Sequence, residues 1–340
     1  VNIVVTGAGG FLGGALVERL LAHGVREVGV VTRPGGKRTR LDEAASRHRD
    51  ARLRFIEANV ISPADARKAV EGADVVYHLA AAMKGAPADM YLNGVVGTKT
   101  LLEAIAAGKK KTRVVLVSSF GVYGVADEGR GAMVNEDTPL ETHPERRDVY
   151  SQVKLRQEQL ARELALKLGL ELVVLRPGVI YGPGGNAFSS RVGLNLFGVF
   201  LSLGNRNLLP LSYVDNCAEA IVLAGQSPAA AGQAYNVNDD DLPTCAEYLR
   251  AYKEHVAPLR SVPVPYPVLK VLSIGVERYH KWSKGQLPAI FTPYKSATSW
   301  GGNKFDNSKI KTVGWKQLVP TEEGMRRTFD WLRSQLGASH

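Results

Sequence analysis

The chain is 340 residues long, 45% apolar and 22% charged, a balance that excludes a disordered polymer and suits a folded protein with one large core or two joined lobes. No uninterrupted apolar run reaches the roughly 18 to 20 residues of a membrane-crossing helix. Cys217 and Cys245 are too few for a disulfide framework and lie in no metal-ligand spacing, so no metal is expected.

A net charge of +10 invites nucleic acid, but Lys and Arg are scattered, with clusters only at Lys37-Arg38-Thr39-Arg40 and Lys109-Lys110-Lys111. No nucleic-acid-binding motif accompanies them, so the charge is expected to attract small anionic molecules and not nucleic acid. The sequence opens at Val1 inside an apolar strand pattern; no targeting segment is expected, and a cytoplasmic location is.

In chain order, strands are expected at Asn2–Thr6, Glu27–Thr32, Leu53–Glu57, Asp74–Leu79, Arg113–Ser118 and Glu171–Arg176, whose near-continuous Val, Ile and Leu content suits strands covered on both faces. Helices are expected between them near Phe11–Ala22, Pro63–Glu71, Met90–Ala107 and Val149–Lys167. This alternation predicts an α/β fold: a Rossmann-type doubly wound parallel sheet, with cofactor chemistry at the carboxyl ends of its strands. After Arg176 come loops rich in Gly, Pro and Asn, a helix around Asn216–Ala224 and a short strand at Ala234–Val237. The remainder, with Pro258, Pro263, Pro265, Pro267, Pro288 and Pro293, reads as least regular. A dinucleotide-binding domain is therefore expected over residues 1–178 with a returning segment near 212–238, and a smaller substrate lobe over 179–211 and 239–340. Within that lobe, Pro267–Val276 is apolar enough for a membrane-surface helix, although a lid or subunit contact is the commoner use and is the expectation here.

Strand one runs into Thr6-Gly7-Ala8-Gly9-Gly10-Phe11-Leu12-Gly13 and then a helix. A pyrophosphate needs that context, because glycines permit close backbone approach and the amides of a helix start face the anion. The spacing is Gly7, Gly10, Gly13, with Leu12 where the commoner dehydrogenase fingerprint has its last glycine. At the end of strand two an acidic residue would hold the ribose hydroxyls of NAD; the position carries Arg33, with Lys37 and Arg38 nearby, which predicts NADP(H) in preference to NAD(H).

Tyr150 and Lys154 are four apart in a helical segment and so share a face. Lowering a phenol pKa from about 10 to about 7 requires roughly 4 kcal/mol. One ammonium about 4 Å away contributes on the order of 4 kcal/mol at an effective dielectric of 20. Strand five ends in Val117-Ser118-Ser119-Phe120-Gly121-Val122-Tyr123-Gly124, which delivers hydroxyls to the same end of the sheet.

With the glycine loop, this constellation resembles the extended branch of the short-chain dehydrogenase/reductase superfamily, the NAD-dependent epimerase/dehydratase family, with features of the 3β-hydroxysteroid dehydrogenase-like subgroup. Other elements that carry the resemblance are His78-Leu79-Ala80-Ala81, Asn93 in Asn-Gly-Val-Val-Gly-Thr, Arg176-Pro-Gly-Val-Ile-Tyr-Gly-Pro, Tyr213-Val-Asp-Asn, and the late Phe305-Asp-Asn-Ser-Lys followed by Gly314-Trp315. The resemblance implies that Tyr150 exchanges the hydroxyl proton, Lys154 lowers its pKa and holds the nicotinamide ribose, and Ser119 orients the substrate oxygen. It implies that Ser118 neighbours the cofactor, that Asn59 and Val60 lie beside adenine, and that Leu79, Ala80, Ala81, Pro177 and Val179 line the dinucleotide.

Members acting on nucleotide sugars often carry Asn and Arg near the diphosphate where this chain has Val179 and Leu209; Arg191 and Arg206 are the candidate substitutes. The leading expectation is nevertheless a sugar or nucleotide-sugar epimerase or reductase, because Glu136-Asp137-Thr138-Pro139-Leu140 is familiar among bacterial sugar-modifying members. A dehydrogenase or reductase for a steroid-like or other apolar ketone is the alternative, and a non-catalytic dinucleotide-binding sensor the third reading. The resemblance also implies a homodimer paired through the helices near Met90–Ala107 and Val149–Lys167.

Overall fold

The computed structural model describes residues 1–36, 38–83, 85–108, 110–196, 198–283 and 292–337. The first part of the chain runs β1 (Ile3–Thr6), α1 (Phe11–Ala22), β2 (Glu27–Thr32), α2 (Thr39–Arg47), β3 (Arg52–Glu57), α3 (Pro63–Val70), β4 (Val75–His78), α4 (Pro87–Tyr91), a π-helical turn (Leu92–Val96), α5 (Gly97–Ala107) and β5 (Arg113–Val117). It continues through β6 (Met133–Val134), α6 (Val149–Leu168), β7 (Glu171–Pro177), β8 (Val179–Tyr181), β9 (Gly193–Leu196), β10 (Val199–Ser202), β11 (Leu211–Tyr213), α7 (Val214–Gln226) and β12 (Ala234–Val237). The final part holds α8 (Cys245–His255), β13 (Ser261–Pro263), α9 (Tyr266–Trp282), α10 (Pro293–Trp300), β14 (Lys304–Phe305), α11 (Ser308–Lys311) and α12 (Thr321–Gly337).

Seven strands form one parallel sheet in the order β12-β7-β5-β4-β1-β2-β3. The order reverses beside β1, which is where a doubly wound sheet opens a crevice at its carboxyl edge. Alternation along each strand divides the core. Ile3, Val5, Val28, Val30, Val115, Val117, Val173 and Leu175 face the side covered by α1 and α7. Val4, Val31, Val76, Val114, Leu116, Leu172 and Val174 face the side covered by α3, α5 and α6. Burial on both faces explains the unbroken apolar runs. Tyr248, Trp315 and Phe329, from beyond residue 239, pack into the same core cluster as α1 and α7.

Two expectations are corrected. Met90–Ala107 is not one regular helix: the chain opens into a π-helical turn at Leu92–Val96. There Asn93 Nδ2 donates to Asp89 O at 2.7 Å, and a Cβ on Gly94 would stand 2.6 Å from Val153 Cγ1 on α6. The close helix-to-helix approach and the local side-chain bond account for the bulge. The residues after 239 are also not the least regular part, since they hold α8, α9, α10 and α12. A proline there can start a helix: Pro293 occupies the first turn of α10 behind the Thr292 cap. Thr244 and Glu247 form a capping box that starts α8.

Candidate active site

The loop between β1 and α1 is a cradle only because its glycines lack side chains. Gly7 adopts φ +74°, and a Cβ there would lie 2.8 Å from Ala80 N; a Cβ on Gly13 would lie 2.1 Å from Gly7 O. Gly10 starts α1 with no side-chain cap, so the first helical amides are free to face an anion. These features fit the pyrophosphate of a dinucleotide. Around the cradle, the carboxyl edge of the sheet carries Leu79, Ala80 and Ala81 after β4, Arg33 after β2, Asn59 and Val60 after β3, Ser118 and Ser119 after β5, and Pro177 to Val179 where β7 passes into β8. The dispersed residues of the sequence reading are thereby collected along one edge, with Phe11 and Leu12 at the first turn of α1.

Some side chains have further partners. Asn59 Oδ1 accepts from Ile61 N at 3.2 Å, in a local turn. Arg33 is exposed. Arg38 pairs with Glu57 at 2.8 Å and stands over the Phe55 ring; Lys37 lies outside the described residues. Arg40, which the sequence reading did not single out, donates to Phe11 O at 3.0 Å and to Pro183 O at 2.7 Å. Its guanidinium covers the Phe11 ring at 4.9 Å, tying α2 to the cradle and to the turn after β8.

Asp148 caps α6 by accepting from Ser151 N at 3.0 Å, which sets the start of the helix that carries Tyr150 and Lys154. Ser119, beside Tyr150, opposes the upward push of burial on the phenol; burial is the larger effect and the pKa is raised. The expected lowering of the phenol by the lysine is thus not found in the protein alone. The reason lies in where the ammonium is held: Lys154 Nζ donates to Val117 O at 2.8 Å and to Gln157 Oε1 at 3.0 Å. Burial brings its own pKa down to about 8, with Glu158 opposing.

Two buried hydrogen-bonded chains run from these groups. Gln157 Nε2 donates to Thr98 Oγ1 at 2.8 Å, and Thr98 Oγ1 donates to Gly94 O at 2.5 Å. With its single proton so committed, Thr98 accepts from His78 Nε2 at 2.8 Å. His78 Nδ1 therefore accepts from the Thr6 hydroxyl at 2.7 Å. Burial first, and Lys154 second, bring the His78 pKa down to about 3, so the ring is neutral. Ser118 is turned away from Tyr150 and donates to Glu158 Oε2 at 2.6 Å. Glu158 also pairs with Arg176 at 2.6 Å, Arg176 donates to the Tyr123 hydroxyl at 2.8 Å, and Tyr123 donates to Asn236 at 2.6 Å. Gln157 and Glu158 are three and four residues beyond Lys154, so their helical spacing was a readable signal for a shared buried face.

On the substrate side, Val179 and Leu209 are apolar where a diphosphate would need donors, and Leu209 is fully buried. Arg206 is exposed. Arg191 points inward: its guanidinium faces the Phe305 ring at 5.8 Å, and Phe305 stacks on Phe120, the neighbour of Ser119, at 5.4 Å. Burial lowers the Arg191 pKa to about 10, and Arg147 and Asp148, just before Tyr150, are among the charges it senses. Among the described residues no carboxylate lies in ion-pair range of it; Nη1 donates weakly to Ser299 O at 3.4 Å.

The chain is 28% identical to 3β-hydroxysteroid-dehydrogenase/decarboxylase isoform 1 of Arabidopsis thaliana, over 96% of its own length and 78% of that protein. It is 27% identical to 2-alkyl-3-oxoalkanoate reductase of Shewanella oneidensis, over 95% of its length and 84% of the reductase. Its fold is similar to that of UDP-glucose 4-epimerase from Thermus thermophilus, solved as a complex with NAD, with a TM-score of 0.70, 22% identity and coverage of 98% and 99% of the two chains. Residues 3–238 match the NAD dependent epimerase/dehydratase family, and the chain belongs to that family.

Proposed function

We propose that this protein interconverts a secondary alcohol and a ketone with a nicotinamide dinucleotide, using Ser119, Tyr150 and Lys154, and that its substrate is an apolar hydroxy or oxo acid. The observation that carries the chemistry is Ser119 beside Tyr150 at the carboxyl edge of the sheet, on the helix that also carries the buried Lys154. Held in the cradle, the dinucleotide supplies the acceptor or donor of hydride. The residues do the rest. Ser119 holds the substrate oxygen, and Tyr150 takes or returns its proton. The ammonium of Lys154, fixed by Val117 O and Gln157, would supply positive charge at the cofactor edge of α6 and would be a donor to the ribose of a bound cofactor. Neutral His78 steadies Gln157 through Thr98 without adding a second charge. Gly7, Gly10, Phe11, Leu12 and Gly13 hold the pyrophosphate; Asn59, Val60, Leu79, Ala80, Ala81, Ser118, Pro177 and Val179 border the dinucleotide. Arg33, exposed at the end of β2, supports NADP(H) over NAD(H). Residues 179–211 and 239–340 serve as the substrate lobe.

The apolar acid is favoured over the nucleotide sugar by Val179 and Leu209 together with Arg191, an inward cation with no carboxylate in ion-pair range among the described residues. A diphosphate calls for several donors, whereas one guanidinium suits one carboxylate. The related oxoalkanoate reductase and hydroxysteroid dehydrogenase/decarboxylase bear names that join an oxygen-bearing carbon on an apolar skeleton to carboxyl chemistry. The test is a panel of oxo acids, hydroxysteroid acids and nucleotide sugars, followed by nicotinamide absorbance and product analysis. Turnover of an oxo or hydroxy acid, abolished in Tyr150→Phe with cofactor binding retained, is expected. Epimerisation of a nucleotide sugar without net absorbance change would overturn the substrate, and near-wild-type turnover by Tyr150→Phe the mechanism. The homodimer belongs to the same reading and is supported by exposed Tyr91, Leu92 and Val96 beside α6; a monomer mass by light scattering would remove it.

A further inference from the structure

The helix α9 is apolar on the side it turns away from the protein. Its inward stripe is narrow: Leu269 packs with Leu203 and Trp300, and Ser273 is buried one turn later. On an arc running from the flank of that stripe to its far side stand Leu272, Tyr279, Val268, Trp282 and Val271, with Val271 69%, Leu272 55% and Trp282 77% exposed. A surface helix of a water-facing protein carries polar groups there. Desolvating this face would remove three large side chains and an aromatic pair from water; the Tyr279 and Trp282 rings lie 5.5 Å apart.

The charges beside the apolar face select among occupants. Lys270 and Arg278 are both exposed, and the only acidic residue in the helix, Glu277, is half-buried and so is not presented with them. A second copy of the chain, docked face to face, would bring like charges together. An anionic bilayer surface complements them, accepts the apolar stripe below its headgroups, and suits Trp and Tyr, which have an apolar body and a polar edge. The helix cannot cross the membrane: among the described residues no helix is long and apolar enough. It can lie in the interface.

We propose that the outward face of α9 docks this protein onto an anionic lipid bilayer, with Val268, Val271, Leu272, Tyr279 and Trp282 seated among the acyl chains and Lys270 and Arg278 on the headgroups. The position has a consequence for the substrate. Leu269, on the inner side of α9, packs on Trp300, whose indole donates to Arg191 O at 3.1 Å. The docked helix thus touches, through Trp300, the main chain of the segment that carries Arg191, which would set the bilayer on the same side of the lobe as that segment. The docking itself does not depend on the substrate reading.

The experiment is co-sedimentation of the full chain with vesicles of phosphatidylcholine alone or mixed with phosphatidylglycerol, with light scattering of the same samples in the absence of lipid. The wild type should pellet with the mixed vesicles and much less with phosphatidylcholine. Val271→Glu/Leu272→Glu should stay in the supernatant with an unchanged melting transition, and Lys270→Gln and Arg278→Gln should each weaken partition about fivefold. Wild type remaining in the supernatant with both vesicles, or the double Glu variant pelleting as well as wild type, would overturn the proposal. So would a fall in the lipid-free mass caused by the double Glu variant, which would make the face a contact between copies.

Discussion

Replacing Lys154 with methionine isolates the energetic effect of burying its charge. The ammonium is buried, and its pKa in the folded protein is about 8 against an ordinary 10.5. Because the folded value is the lower one, the folded state releases its proton first. The group therefore adds stability as pH rises through about 8, and the gain levels off above 10.5. A gap of 2.5 (10.5 − 8) between the two values corresponds to about 2 kcal/mol at about pH 9.5 and almost nothing at pH 7. Methionine fills a similar volume and does not titrate. Urea unfolding of wild type and Lys154→Met at both pH values should show the wild-type-minus-variant stability rising by about 2 kcal/mol. A difference constant to within about 0.5 kcal/mol would refute burial of the charge as the cause. Loss of turnover in the same variant is expected at either pH.

Other perturbations follow from the same network. Glu158→Gln leaves the buried Arg176 without its counter-ion and should lower stability by about 3–5 kcal/mol in urea unfolding. Ser119→Ala removes the hydroxyl that opposes the rise of the Tyr150 pKa, so the rising limb of alcohol oxidation should move to higher pH; an unmoved profile would count against the pair. Gly13→Ala puts a Cβ 2.1 Å from Gly7 O, and fluorescence titration should show dinucleotide binding weakened more than tenfold. Arg191→Met should raise KM for an oxo acid by about 10- to 100-fold while sparing the matching uncharged ketone. Steady-state kinetics with NADPH and NADH test Arg33: a tenfold preference for NADH would exclude the proposed selectivity.

Much of the framework was open to inspection in the linear order of residues. The strands Glu27–Thr32 and Ala234–Val237 and the helix Phe11–Ala22 have the bounds their patterns predict. Unbroken β-branched runs, glycine spacing and a four-residue helical repeat are local features, legible without knowledge of distant partners. The π-helical turn at Leu92–Val96 was not legible, because it depends on how closely Gly94 approaches Val153 on another helix. The helices after residue 239 were obscured by prolines that read as breakers but in part act as helix starts.

The sequence by itself determined a doubly wound parallel sheet, a glycine-rich turn between its first strand and helix, and a tyrosine and lysine on one helical face. Tertiary structure alone decided what those groups experience. Burial outweighs Ser119 at Tyr150, Val117 O and Gln157 take the Lys154 ammonium, and Glu158 claims Ser118. It also turned Arg191 inward and Arg206 outward, and exposed the apolar face of α9. Spacing along a chain fixes which side chains can share a face, but desolvation and partnership depend on residues as far apart as Thr6 and His78, or Glu141 and Tyr294, that only folding brings together.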